Sequence, residues 1–372
     1  MHFFTSLAKR PLVLLFTILS LSLIFLLSIA TNASLETDLD TYMPSTHPAF
    51  VSSDEAESLF GIEDAILIVV EHPQSIYNAA TIEKIDVITK AIQQDFDAVQ
   101  SVTSLTTADN IKSNDGFLEV EPFFKGRTSE QAIATMQEEV EANPMIYGRN
   151  VSLDGTATLI IAKLNSDIDA TALQSWIEQW EGPERLMIAG RPIVELSLAQ
   201  LGPKDMALMF PLVIGIMIIL LYLLLRSVRD TILNMVIVLF GTLVSFGLKT
   251  LTGIPIYAVD TMIPVMLIAI GVAYGIHMHN SIHHLMLSYP TLSKEELAVR
   301  ALKQMVRPII MTAITTAIGF VALMSSKVLP VRYFGLFAAI GVLSEMLLAL
   351  LLFPASLHLL GKPKYKKAKA DL

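Results

Sequence analysis

The chain has no cysteine at all, which excludes disulfides, thiolate metal sites and a cysteine nucleophile. Charge is scarce as well: only 16% of the 372 residues are Asp, Glu, Lys or Arg, while 53% are hydrophobic. That balance is far from a soluble average and makes lipid the solvent for much of the chain. No nucleophile elbow or ordered catalytic triad appears, so an enzyme is not expected. Basic residues form no long run. The short tail "KPKYKK" suits anionic headgroups of an adjacent membrane better than nucleic acid, and no nucleic-acid partner is expected.

What charge there is lies unevenly. Residues 32–203 carry 28 acidic and 9 basic side chains, a balance of -19, whereas the rest carries 7 acidic and 17 basic, a balance of +10. Lys and Arg cluster in short segments beside apolar runs, as cytoplasmic loops do. The acidic block is then expected on the far side, where its charge suits cationic or neutral ligands or simply aids solubility.

Residues 11–30, "PLVLLFTILSLSLIFLLSIA", are long enough to cross a bilayer core of about 30 Å. They read as a first membrane helix, with a cleaved signal peptide as the rival. Further spans are expected near 206–225, 231–251, 261–282, 308–326 and 333–360. Six spans put both termini in the cytoplasm, with a basic tail at 362–372. Residues 292–306, with Leu297, Ala301, Leu302 and Met305 on one face, suit a helix lying on the cytoplasmic interface.

Between the first two spans, strand-like runs ("DAILIVVE", "AVQSVTSLTT", "ERLMIAG") alternate with segments of helical spacing (79–96, 128–143, 169–182). Residues 147–164 read as a hairpin turning on Asp154-Gly155, and Thr128 or Ser129 as a helix cap. The expectation is an extracytoplasmic α+β domain of the ferredoxin-like kind over 32–203, and a five-helix bundle over 204–361 behind a first helix at 1–31.

The stretches "GRPIVEL" (190–196), "AIGVAYGIH" (269–277), "RPIIMTAITTAIGFVALM" (307–324) and "LPVRYFGLFAAIGVLSEMLLALLLFPASL" (329–357), with this order of spans, resemble the resistance-nodulation-division (RND) transporters, in their MMPL-like and Patched-like branch. The resemblance implies an α-helical membrane protein with a porter-like outer domain in a bacterial-type inner membrane. It implies a secondary-active, proton-coupled exporter of hydrophobic or lipid-like small molecules. An export-accessory protein of the same fold, without transport, is the other reading. Relatives usually join two such halves in one chain, so this one is expected to form a homodimer, to pair with a second half, or to be a piece of a longer protein.

The motif positions are Gly271, Ala273, Tyr274, Pro308 and Gly319. Many relatives read Gly-x-Asp-Tyr in the fourth span, with the aspartate as proton carrier, and Ala273 stands in its place. Projected at 100° per residue, Ala273, His277, Asn280 and His284 share one face, with His279 and His283 opposite. His277 is a candidate proton carrier on that face, because an imidazole side chain ordinarily changes charge in the physiological range. Glu345 is the one carboxylate well inside an expected span.

His277 and Glu345, beside the stripe Thr312, Thr315, Thr316 and Gly319, are therefore the candidate coupling site. A structural pair, or a glutamate near the water layer, is the alternative. The threonines either relay protons or bond their own helix's carbonyls. His279, His283 and His284 are expected to meet lipid headgroups. "HNSIHH" is similar to one histidine box of di-iron desaturases, but no second box exists and neither metal nor cofactor is expected.

Overall fold

The computed structural model describes residues 10–60, 64–114, 117–180 and 182–363. Two compact units emerge, Thr46–Leu198 and the remainder. The first membrane helix, α1 (Pro11–Asn32), is followed by a two-residue strand β1 (Leu35–Glu36) and then α2 (Pro48–Phe60).

The middle unit is built on β2 (Ala65–Glu71), α3 (Ala79–Asp95), β3 (Val99–Thr103), the hairpin β4 (Asp109–Asn114) and β5 (Phe117–Pro122), α4 (Glu130–Glu141), β6 (Ala157–Leu164), α5 (Ala170–Glu178) and β7 (Arg185–Ala189). Its four-stranded sheet has the order β3-β6-β2-β7, every pair antiparallel. Alternation along β2 buries Ile66, Ile68 and Val70 completely, and β6 adds Ile160 and Ala162. Against them α3 sets Ile82, Ile85, Ile88 and Ile92, and α5 sets Leu173, Trp176 and Ile177. Each such side chain removed from water contributes about 1.5–3 kcal/mol before entropy is counted.

The helices start where the sequence supplies caps: Asn78 accepts from Thr81 N–H at 2.9 Å, Ser129 from Ala132 N–H at 3.4 Å, and Asp169 from Thr171 N–H at 2.9 Å. Gly155 turns at φ 66° beneath Asp154, but the hairpin's first arm shrinks to a bridge from Val151 to Thr158. The hairpin of β4 and the exposed strand β5 falls in a stretch with no strong apolar alternation, and the sequence does not predict it.

The other unit holds α6 (Arg191–Leu225) from Ala199 onward, α7 (Val228–Leu251), α8 (Met262–Ser288), α9 (Lys294–Ala322) and α10 (Leu329–Leu360), with a short strand β8 (Ile256–Tyr257) before α8. With α1 these make six helices, among the described residues, that are long and apolar enough to cross a membrane. The most apolar windows of α7, α8 and α10 are 61%, 50% and 67% buried, against 17%, 11% and 17% for α1, α6 and α9, so α7, α8 and α10 form the centre.

Several boundaries differ from expectation. Residues 32–45 go with the bundle, since β1 pairs in parallel with β8. The helix α6 begins at Arg191 and continues through Pro203 and Pro211. Residues 292–306 are no separate interfacial helix: Ser293 and Glu296 form a capping box, and α9 runs unbroken from Lys294 through Pro308. Its face of Leu297, Ala298, Ala301 and Leu302 is buried in the bundle with Leu285 and Phe353, which satisfies the amphipathic pattern without a lipid surface. Nearly all of the basic tail at 362–372 lies outside the described residues.

In the sheet unit, Glu184 is buried and accepts from Thr81 Oγ1 at 2.7 Å and Lys84 Nζ at 3.0 Å. Burial alone would push its carboxyl up, but the bonds from Thr81 and Lys84 win and hold it below the usual carboxylate range. Its contribution is thus present above the unfolded-state value of about 4.3 and lost as pH falls through the lower folded value. Glu184→Gln should lower stability at pH 7 by about 1.5–3 kcal/mol, with the difference from the parent vanishing in acid; thermal unfolding across pH checks this.

Candidate functional site

The centre of the bundle contains a carboxylate. Glu345 of α10 is 0% exposed, and neither oxygen has a hydrogen-bond partner among the described residues. Two glycines make its space. A Cβ on Gly241 of α7 would fall 2.3 Å from Glu345 Cγ, and one on Gly271 of α8 would fall 2.6 Å from Glu345 Cδ. Any larger residue at either position would expel the carboxyl or force the helices apart. Gly341, one turn earlier on α10, meets Leu267 in the same close manner. Tyr274, 1% exposed with an unpartnered hydroxyl, lies within electrostatic range of Glu345.

Two further buried polar groups sit along α7 and α8. At one end, His279 Nδ1 meets Asp230 Oδ2 at 2.6 Å, and Asn234 Nδ2 donates to the Asp230 carbonyl at 3.0 Å. Asn234 Oδ1 occupies the place a side chain on Gly275 would take, 1.4 Å from the position of its Cβ. At the other end, Lys249 and Asp260 form an ion pair in which both side chains are wholly buried. Asp260 Oδ2 also accepts from Tyr257 N–H at 2.8 Å, and Lys249 Nζ lies 5.0 Å from the Tyr257 ring centroid and 5.6 Å from that of Phe337. Tyr257 itself packs between Tyr42 and Tyr333.

The expected site divides. Glu345, Gly271 and Tyr274 come together in the core. Ala273, His277, Asn280 and His284 lie on one exposed stripe of α8, so His277 is not among the residues that enclose Glu345. Thr312 and Thr315 are exposed on α9 and bond the carbonyls of Pro308 and Met311, both at 3.0 Å, while Thr316 is half-buried and Gly319 faces open space. His279 does not end among headgroups. It is buried against Asp230, with His283 stacked on it at 6.0 Å between centroids. Among the described residues no three His, Asp or Glu side chains gather as a metal site would require.

Asp230, Asn234 and His279 are the residues that sequence reasoning missed. Asp230 sits in the basic segment "RSVRD", which reads as a connection. The available signal was Gly271, Gly275 and His279, spaced by four, a stripe that lets a neighbouring helix approach and ends on a polar group.

A family model, that of the MMPL family, matches residues 42–371. The chain belongs to the MMPL family. No match is found among curated proteins. Membership accounts for the six membrane helices and makes this a multi-pass membrane protein of an RND-type transporter family. Within this MMPL chain Ala273 stands on the fourth span and the buried carboxylate on the sixth.

The Lys249–Asp260 pair is fully desolvated, so removing one partner strands a charge. Lys249→Met alone should cost about 3–5 kcal/mol in detergent melts, and Lys249→Met with Asp260→Asn should recover most of it by removing that charge. Losses that simply add would show that the pair is not coupled.

Proposed function

We propose that this MMPL-family chain is a secondary-active, proton-coupled exporter of hydrophobic or lipid-like substrates that works as a pair of halves. In this reading Glu345 replaces the fourth-span aspartate as the proton carrier. The observation that carries it is the wholly buried carboxyl held between Gly241 and Gly271 without a hydrogen-bond partner among the described residues. An unpaired charge costs several kcal/mol in such a place, and the cost falls on the charged form alone. Loading or unloading a proton therefore changes the energy of the α7–α8–α10 packing, which is what coupling requires.

Pairing of halves is supported by the stripe of His277, Asn280 and His284. Lipid is a poor partner for such a face, and the matching face of a second half is a better one. The sheet order β3-β6-β2-β7, with a helix between the members of each split βαβ unit, supports reading the middle unit as a ferredoxin-like, porter-like domain. The positive-inside asymmetry supports reading that domain as extracytoplasmic, with both termini in the cytoplasm of a cell bounded by an inner membrane.

One observation favours the second reading, an export-accessory protein without transport: Ala273 cannot carry a proton. Reconstituted vesicles under an imposed pH gradient separate the two. The exporter reading expects proton flux in the parent and a loss of at least about tenfold in Glu345→Gln. Equal flux in both would refute Glu345 as carrier, and loss of protein secretion in cells without any proton flux would favour the accessory role.

A further inference from the structure

The polar groups between α7 and α8 form a regular series. On α8 the residues that meet them are Gly271, Gly275 and His279, each four apart and so about 6 Å apart along the axis. Gly271 faces Glu345, Gly275 faces Asn234, and His279 faces Asp230. Asn234 thus stands about midway between the buried carboxyl and the Asp230–His279 pair.

Three oxygens in this series, Asn234 Oδ1 and both of Glu345, are buried with no hydrogen-bond partner among the described residues. Buried polar atoms of this kind are usually satisfied by internal water, and an amide oxygen can orient such a water. Charged and polar groups near the pair come from α7, α8 and α9. On α7, Arg229 is tied to Ser356 Oγ at 2.8 Å and to the Gly361 carbonyl at 2.7 Å. On α8, His283 stacks on His279, with His284 beside it. The nearby bond from α9 is neutral, Ser281 to Gln304 at 2.9 Å.

We propose that this seam is a proton path within a single half, with Asp230–His279 as the exchange site on the cytoplasmic side and Asn234 as the relay to Glu345. The inference rests on the reading of Glu345 as proton carrier and goes beyond it by naming the route. Asp230 accepts the Nδ1–H of His279, which fixes the tautomer and leaves Nε2 as the base. The Glu345 O–H bond breaks, and its proton passes through water held by Asn234 to form an N–H bond at His279 Nε2. Glu345 is left as carboxylate and His279 as imidazolium, stabilised by Asp230. That N–H then gives its proton to cytoplasmic water and His279 returns to the neutral form; the Glu345 carboxylate takes up a new proton from water on the opposite side, re-forming its O–H bond, and one proton has then crossed. The path does not use the exposed face of His277 and Asn280, so it needs no second half.

The test is proton flux in vesicles containing the full chain, with an imposed pH gradient and a pH-sensitive dye, for the parent and for Glu345→Gln, His279→Gln, His279→Ala and Asn234→Leu. Glutamine can still donate to Asp230, so a bracing role would survive it and a proton-transfer role would not. The expectation is a melting temperature near the parent's for His279→Gln, flux at least about tenfold lower in His279→Gln and Asn234→Leu, and partial recovery of His279→Ala on adding imidazole. Parent-like flux in His279→Gln, or in Asn234→Leu should the glutamine variant not fold, overturns the path; if Glu345→Gln is inactive at the same time, Glu345 remains the carrier. Parent-like flux in Glu345→Gln overturns both.

Discussion

Everything in the bundle is arranged around one steric demand, that the Glu345 side chain must fit between α7 and α8. A carboxyl there leaves no room for a neighbouring Cβ, so both facing positions are glycine, Gly241 and Gly271. Their helices pay in propensity, about 1 kcal/mol for each glycine relative to alanine, and gain close packing on α10 in return. That packing makes α7, α8 and α10 the buried core, with α1, α6 and α9 around it. Leucine in place of Glu345 would pack the same hydrocarbon space without any charge to accommodate, so the carboxyl is not there to stabilise the bundle.

The same core separates two ends of different character. Asp230 and His279 form a buried carboxylate–imidazole contact at 2.6 Å, the exchange site of the proposed proton path. Lys249 and Asp260 are locked together by burial, by the Tyr257 N–H and by the flanking rings of Tyr257 and Phe337. In the proposed path the first end changes its protonation and the second stays as it is. Under the orientation proposed, the changeable end faces the cytoplasm, and the locked end lies on the opposite side, where β1 and β8 pair.

The six spans and the alternating helices and strands of the middle unit were legible because they rest on strong local signals: apolar length, period-2 burial in β2 and β6, and the side-chain cap at Ser129. The inward face of α8 was harder to read. A membrane helix is apolar all round, so hydrophobic periodicity does not tell core from lipid. Polarity misleads there as well, because both faces carry histidine and the inward one is His279, not His277. Small residues carry the information instead. Glu345 was visible as an isolated intramembrane carboxylate, but its neighbours are glycines, which have no side chain to announce a contact. Likewise 292–306 has the amphipathic pattern of an interfacial helix, and only the tertiary contacts of Leu297 and Ala301 show that the apolar face is spent on the bundle.

The most direct test of this account is a double-mutant cycle on Gly271 and Glu345, read by thermal unfolding in detergent. Gly271→Ala alone should destabilise by about 1–3 kcal/mol through overpacking against the carboxyl. With Glu345→Ala also present, the added methyl meets open space, and the same substitution should become neutral or stabilising, a coupling of the order of 1–3 kcal/mol. An equal cost of Gly271→Ala with and without Glu345 would contradict the claim that the carboxyl sets the packing of the core.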